Sequence, residues 1–303
     1  MRTTLSKEEF NLLSQLPYVP FTELASVKVN HPEINKVIES NSSPILLTSF
    51  PKSGSTLVHF ILSGILRLSQ SVLFYDGIQT DQSLYVPAII QNFGAETIAQ
   101  HHIRGTFANI AIINFFCMPT IVCVRNIFDA LVSSVDYNER LFTQFKSAGL
   151  PEHENWFENF PRGFNGFQMN LDFHELSRSQ RIDIAIDTVI PWYFNFYAYW
   201  KYYAERGDIN IFWINYNDLM DDQFGVIWGC LKYLGFKDDL ALEEEKILRR
   251  SVTKHSEVVR KKSNRFNKGT KGRGINELTE LQIERIYAIA SGYIGVNFKE
   301  IGL

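Results

Sequence analysis

The chain has 303 residues, enough to bury a sizeable core as one large α/β domain or two small ones. Its 30 Lys and Arg against 33 Asp and Glu leave a net charge of −3, so no global basic field draws it to nucleic acid or an anionic membrane, and any anion must be bound locally. The three cysteines, Cys117, Cys123 and Cys230, lie in apolar runs without regular spacing, which argues against a disulfide framework or a zinc site and suits a reducing compartment.

The first residues are polar, with no apolar run of signal-peptide length, and no stretch reaches the ~20 apolar residues of a membrane span. The expectation is a soluble, cytoplasmic protein. Ser6 and Glu9 form a capping box for a helix to about Gln15, ended by Pro17 and Pro20. Phe21 to Ser43 is polar and predicts a surface wrap. Ile45–Phe50 then reads as a buried strand, and Leu57, Phe60, Ile61, Gly64, Ile65 and Leu68 as the inward face of a helix. Between them lies the turn Pro51-Lys52-Ser53-Gly54-Ser55-Thr56. A strand feeding a helix through small residues leaves the first helical N–H groups pointing outward at the positive end of the dipole, an anion site. Lys52 adds a charge, and Ser53, Ser55 and Thr56 add hydroxyls. The lysine precedes the single glycine, so this is not the G-x-x-x-x-G-K-[ST] loop.

Asp76 to Gln91 predicts a loop with helical pieces, Thr97–His102 a short strand, and Thr106–Phe115 a helix. Pro119–Val124 is a continuous run rich in β-branched and apolar residues, the mark of a central strand buried on both faces. Asn126 caps the next helix, and Asp129 supports it through the dipole. Tyr137 to Arg181 lacks a period and is rich in aromatics and glycine, which predicts a lid-like insertion. Thr188–Ala204 is a helix crowded with aromatics, Ile209–Ile214 a strand, Gln223–Gly235 a helix closed by its glycine, and Thr279 with Gln282 caps the last helix. Strands alternating with helices predict one α/β domain over residues 1–303. Its central, mostly parallel sheet carries helices on both faces and binds ligands at the carboxyl ends of the strands.

Two further clusters accompany the Lys52 turn. Arg125 directly follows the central strand, with Ser133 two turns along the next helix; a forked donor and a hydroxyl suit a phosphate. Arg260 to Gly274 is a short basic stretch with glycines. Two anion sites after two strands, plus a basic flap, imply a ligand with separated phosphates.

Pro51–Thr56, Val124-Arg125-Asn126 through Ser133, Tyr216-Asn217-Asp218-Leu219 and Lys268-Gly269-x-x-Gly272, in this order, resemble the sulfotransferases that use 3′-phosphoadenosine 5′-phosphosulfate (PAPS). The resemblance runs from about Pro44 to Glu284 and implies a P-loop-kinase-like sulfotransferase fold. It implies that Lys52, Ser53, Gly54, Ser55 and Thr56 bind the 5′-phosphosulfate and that Arg125 and Ser133 bind the 3′-phosphate. It further implies that the Lys268–Gly269 loop closes over that phosphate and that Tyr216 lies near the adenine. The family's histidine base falls in a lysine–threonine–histidine–leucine run; Gln100-His101-His102-Ile103 fits it with His102 as base. Adjacent strand residues point to opposite faces, so one histidine alone can face the cofactor, and the register selects His102 over His101. The resulting expectation is PAPS as co-substrate without a metal, transfer to a small-molecule or glycoside hydroxyl acceptor, and no nucleic-acid partner.

The sequence departs from the family pattern at Leu57 and Gly274, where many members carry tryptophan, at Ile127 in place of proline, and at Asn267 in place of arginine, for which Arg265 and Arg273 are candidate substitutes. Ile275, Thr279, Glu280 and Glu284 occupy the positions of the family's dimer motif and do not match it. These departures keep a second reading in view, a catalytically degenerate nucleotide- or carbohydrate-binding protein on the same fold. A small-molecule kinase would require a lysine after a second glycine and a magnesium-binding carboxylate after a strand, and the sequence presents neither.

Overall fold

Five strands, Ile45–Ser49 (β1), Ser69–Gln70 (β2), Thr97–His101 (β3), Thr120–Val124 (β4) and Phe212–Asn215 (β5), lie in the order β2-β3-β1-β4-β5. Every pairing is parallel, and Thr48 at the centre sits opposite His101 on one side and Val122 on the other. Parallel neighbours need crossovers, and the crossover helices cover both faces. That is why β4 is buried at all five positions and apolar at four of them; the hydroxyl of Thr120, its first residue, donates to the Met118 carbonyl. The computed structural model describes residues 5–74, 82–147, 176–237, 239–262 and 271–303.

Strand alternation splits the core in two. Leu46 and Val122 face an aromatic layer of Phe50, Trp192, Phe194, Phe196 and Trp200, whereas Leu47, Ile121 and Cys123 face an aliphatic layer with Ile61, Ile214 and Val252. Apart from Phe50, the aromatic layer belongs to the helix Arg178–Glu205, ten residues longer at its start than the aromatic run suggests because Ser177 and Gln180 form a capping box there. The expected boxes at Ser6–Glu9 and Thr279–Gln282 are both present. Among the described residues no helix is long and apolar enough to cross a membrane.

Four local expectations are refined. Phe21 to Ser43 lies along the surface as expected, but as the helices Leu24–Asn30 and Pro32–Ser40, in which the few apolar residues Leu24, Ile34 and Ile38 suffice to bury one stripe. In the helix after the Lys52 turn, Ser55–Leu66, the buried face is Leu57, Val58, Ile61 and Leu62, and Phe60 is exposed. The helix Leu242–Lys262 packs on that element, and His255 occupies the space over Gly64, where a Cβ would lie 2.2 Å from the imidazole. β5 starts at Phe212, paired with Ile121, rather than at Ile209, because before that pair the Tyr233 hydroxyl accepts from the Thr120 N–H at 3.0 Å and donates to the Asn210 carbonyl at 3.0 Å in place of a strand-to-strand bond.

The fourth correction concerns Tyr137 to Arg181. The helix Ile127–Ser147 continues ten residues past Tyr137, and the aromatic helix begins at Arg178; residues 148–175, the rest of the expected lid, lie outside the described residues. The charged residues that break the apolar period here fasten the two helices together. Arg178 reaches Asp136 at 2.7 Å, Glu139 at 2.9 Å and Glu277 at 2.9 Å; Arg181 reaches Glu139 at 3.1 Å; and Arg273 pairs with both Asp136 and Glu277. Burial pushes the Asp136 and Glu277 carboxyls up, but hydrogen bonds from Arg273 and Arg178 outweigh it and hold both below their ordinary values. A carboxyl with a depressed folded pKa adds stability above its unfolded pKa and loses it as pH falls through the folded one. The wild-type melting temperature is therefore predicted to drop more steeply from about pH 5 to about pH 3 than that of Asp136→Asn. Scanning calorimetry giving equal slopes would refute the contribution.

Candidate active site

The turn between β1 and the helix Ser55–Leu66 runs through left-handed backbone, with φ 72° at Lys52 and 86° at Gly54. For a residue with a Cβ this region costs about 1–2 kcal/mol, so contacts must hold Lys52 there. Arg125 Nη1 donates to the Lys52 carbonyl at 3.2 Å, and Lys52 Nζ lies 4.2 Å from the centre of the Tyr137 ring. Ser49 Oγ donates to Ser55 Oγ at 2.9 Å, and Gln100 Nε2 donates to Ser55 Oγ at 3.0 Å and to Thr56 Oγ1 at 3.1 Å. Ser53 is fully buried, yet among the described residues its Oγ has no hydrogen-bond partner. Such a group costs about 1–3 kcal/mol, which an oxygen-rich ligand at the helix start would recover.

Tyr216 joins this turn to Arg125. It opens the short helix Tyr216–Asp221 after β5, capped by Asn215, whose Oδ1 accepts from the Asn217 N–H at 2.9 Å. Its ring lies against Gly54, where a Cβ would stand 2.6 Å from Tyr216 Cδ2. On its other contact the Arg125 guanidinium sits 4.1 Å from the ring centre. Gly54, Arg125 and Tyr216, which follow β1, β4 and β5, thus form one stack at the carboxyl ends of the strands. Burial pushes the Arg125 guanidinium below its ordinary value, with Tyr216 and Asp129 opposing that shift; an arginine keeps its charge even so.

His102 is the first residue beyond β3, and its Nδ1 lies 2.6 Å from the Ser49 carbonyl oxygen. A carbonyl only accepts, so Nδ1 carries the proton and, in the neutral ring, Nε2 carries the lone pair. The imidazole and the Trp192 ring meet nearly at right angles, with ring centres 6.1 Å apart. His101 points into the fold: it is buried, its Nε2 accepts from the Leu73 N–H at 3.1 Å, and it meets Phe74 edge-on.

Ser133 is buried two turns along the helix Ile127–Ser147. Lys268 and Gly269 lie outside the described residues. Just beyond them the Gly272 N–H donates to Asp129 Oδ2 at 2.9 Å and the Gly274 N–H to Asp129 Oδ1 at 2.7 Å, with Arg125 Nη2 4.0 Å from Asp129 Oδ2. Asp129 therefore does more than the expected dipole support: it fastens the end of the basic stretch beside Arg125. A Cβ on Gly274 would stand 2.1 Å from the Phe128 carbonyl carbon, so a tryptophan cannot occupy this position. Leu57 is buried in the aliphatic layer and cannot stack on a base, and Ile127 is a core residue. Arg273 is engaged by Asp136 and Glu277, which removes it as the substitute for the arginine absent at Asn267.

Sequence reasoning missed Gln100, Tyr137 and the second role of Asp129. Gln100 was findable, because it precedes His102 by two residues and so shares its face of the strand. The other two contacts join residues far apart in the chain and have no local signal. The orphaned Ser53 hydroxyl, the left-handed turn and the buried Arg125 fit a ligand with phosphate-like groups.

The sulfotransferase domain family model matches residues 42–292. Mouse sulfotransferase SULT7A1, solved in complex with PAP, superposes with a TM-score of 0.54 at 16% identity, covering 87% of this chain and 91% of that one. Retinol dehydratase, solved with androsterone and the inactive cofactor PAP, gives a TM-score of 0.48 at 13% identity, covering 86% of this chain and 82% of that one. No curated protein matches the chain in sequence.

Proposed function

The chain belongs to the sulfotransferase domain family, and on that premise we propose that it transfers the sulfonate group of PAPS to the hydroxyl of a small-molecule or glycoside acceptor. The observation that carries this reading is the convergence of Lys52, Gly54, Arg125 and Tyr216 at one end of the sheet, with His102 held by the same strand that leads into the Lys52 turn. PAPS supplies the activated sulfonate, a donor whose sulfur–oxygen bond breaks in line as the new one forms.

In this reading Ser53, Gly54, Ser55, Thr56 and the first N–H groups of their helix hold the 5′-phosphosulfate. Arg125 and Ser133, with Lys268 and Gly269, hold the 3′-phosphate. His102 Nε2 takes the acceptor's proton while Ser49 fixes the ring through Nδ1. The acceptor oxygen bonds to sulfur, the bond from sulfur to the 5′-phosphate oxygen breaks, and Lys52 neutralises the charge that gathers on that leaving oxygen. The products are a sulfate ester and adenosine 3′,5′-bisphosphate (PAP), with the proton on His102.

Radiolabelled PAPS incubated with a panel of phenols, alkyl alcohols and glycosides tests the proposal. Label is expected in at least one acceptor, with PAP released. Tight PAP binding without transfer to any acceptor would overturn it in favour of a nucleotide-binding protein on the same fold. The stack makes a narrower prediction. Gly54→Ala puts a methyl into left-handed backbone and against Tyr216, a strain of about 1–3 kcal/mol. It is expected to weaken PAP binding at least about tenfold by calorimetry; unchanged affinity would refute the stack's role.

A further inference from the structure

Arg104 stands two residues beyond His102. It is partly buried, its Nε is shut off from solvent, and among the described residues that atom has no hydrogen-bond partner and the guanidinium no ion pair. Of the Arg104 guanidinium nitrogens Nε alone is sealed off in this way, so the terminal nitrogens stay open to an anion. Its position is not an accident of a loose loop. The Arg104 N–H donates to the Gln82 carbonyl at 3.2 Å, and its carbonyl accepts from Asn109 Nδ2 at 2.7 Å. The Ile103 carbonyl accepts from Thr48 Oγ1 at 2.9 Å and Trp200 Nε1 at 3.1 Å, and Gly105 lies so close to Trp200 that a Cβ would stand 2.9 Å from its backbone nitrogen.

The topology separates this charge from the nucleotide. Arg125 and Tyr216 follow β4 and β5, on one side of β1, whereas His102 and Arg104 follow β3, on the other. Lys52 and Arg125 already answer to the two ends of the donor. We infer that Arg104 binds an oxyanion carried by the acceptor, so that the preferred acceptors are hydroxyl compounds that also bear a carboxylate or a phosphomonoester. This rests on the proposed transfer with His102 as base. The Cα atoms of residues 102 and 104 are at most about 7 Å apart, so a hydroxyl at His102 and an anion at Arg104 suit one small molecule, such as a hydroxyphenyl acid.

The test compares 3-(4-hydroxyphenyl)propanoate, its neutral amide and 2-(4-hydroxyphenyl)ethyl phosphate by calorimetric titration. Wild type, Arg104→Gln and Arg104→Lys are titrated with and without PAP, and PAP itself is titrated as a check that the nucleotide site is intact. At least one anion is expected to bind wild type about tenfold or more tighter than the amide, the size of one charge-assisted pair. Arg104→Gln is expected to erase that difference and Arg104→Lys to keep part of it; which anion binds tighter distinguishes the carboxylate from the phosphomonoester. Equal binding of acids and amide to wild type, an equal loss of all three in Arg104→Gln, or binding of none overturns the inference. Failure of PAP to bind overturns the donor reading instead, and the titrations without PAP still decide the role of Arg104.

Discussion

His102→Ala is expected to lower kcat for sulfonate transfer by about 10²–10⁴-fold while leaving PAP affinity near that of the wild type. The expectation follows from the hydrogen bond at 2.6 Å between Nδ1 and the Ser49 carbonyl, which fixes both the ring and its tautomer and leaves the Nε2 lone pair to accept a proton. Ser49 ends β1, so the strand that leads into the Lys52 turn also orients the base. A second substitution separates catalysis from mere structure. His102→Asn retains a donor for the Ser49 carbonyl but no base, so it should melt closer to wild type than the alanine variant while being as slow. Full activity of either variant with radiolabelled PAPS would eliminate His102 as the base.

Lys52→Ala is expected to cost about 10²–10³-fold in kcat, the usual loss when one stabilising group is removed from a developing oxyanion. Lys52 is held in left-handed backbone by a hydrogen bond from Arg125 to its carbonyl, and its ammonium rests on the Tyr137 ring. A strained residue kept in place by a buried arginine is consistent with a side chain whose position matters more than the local stability it forfeits. Lys52→Met, which keeps the length and removes the charge, should be about as slow as the alanine variant. If either variant weakened PAPS binding and left kcat intact, Lys52 would serve ground-state binding instead of the transition state.

The parts of this site that were legible in the sequence are the ones made by neighbours in the chain. The Lys52 turn shows because an apolar strand, small residues and an apolar helix follow one another within a dozen positions. Arg125 shows because it directly follows a continuous run rich in β-branched residues, and the capping boxes at Ser6 and Thr279 show because both partners lie within three residues. The length of the helix Ile127–Ser147 did not show: Asp136 and Glu139 read as loop residues until Arg178, about 40 positions on, is brought against them. The two helices between Phe21 and Ser43 were hidden for a similar reason, since so few apolar residues carry their buried stripe.

By itself, then, the sequence determined the alternation of strands and helices, the turn of small residues at Lys52, the arginine at 125 and the pair of histidines, all of them consequences of local spacing and side-chain chemistry. The tertiary structure supplied what holds the two histidines apart, because the hydrogen bonds that turn His101 toward Leu73 and His102 toward Ser49 come from other strands and loops. It also decided that Asp129 fastens Gly272 and Gly274, 143 and 145 residues away, and that Gly54, Arg125 and Tyr216 share one stack. A parallel sheet brings the ends of distant strands side by side at spacings of about 5 Å, and no pattern along the chain records which ends will be neighbours.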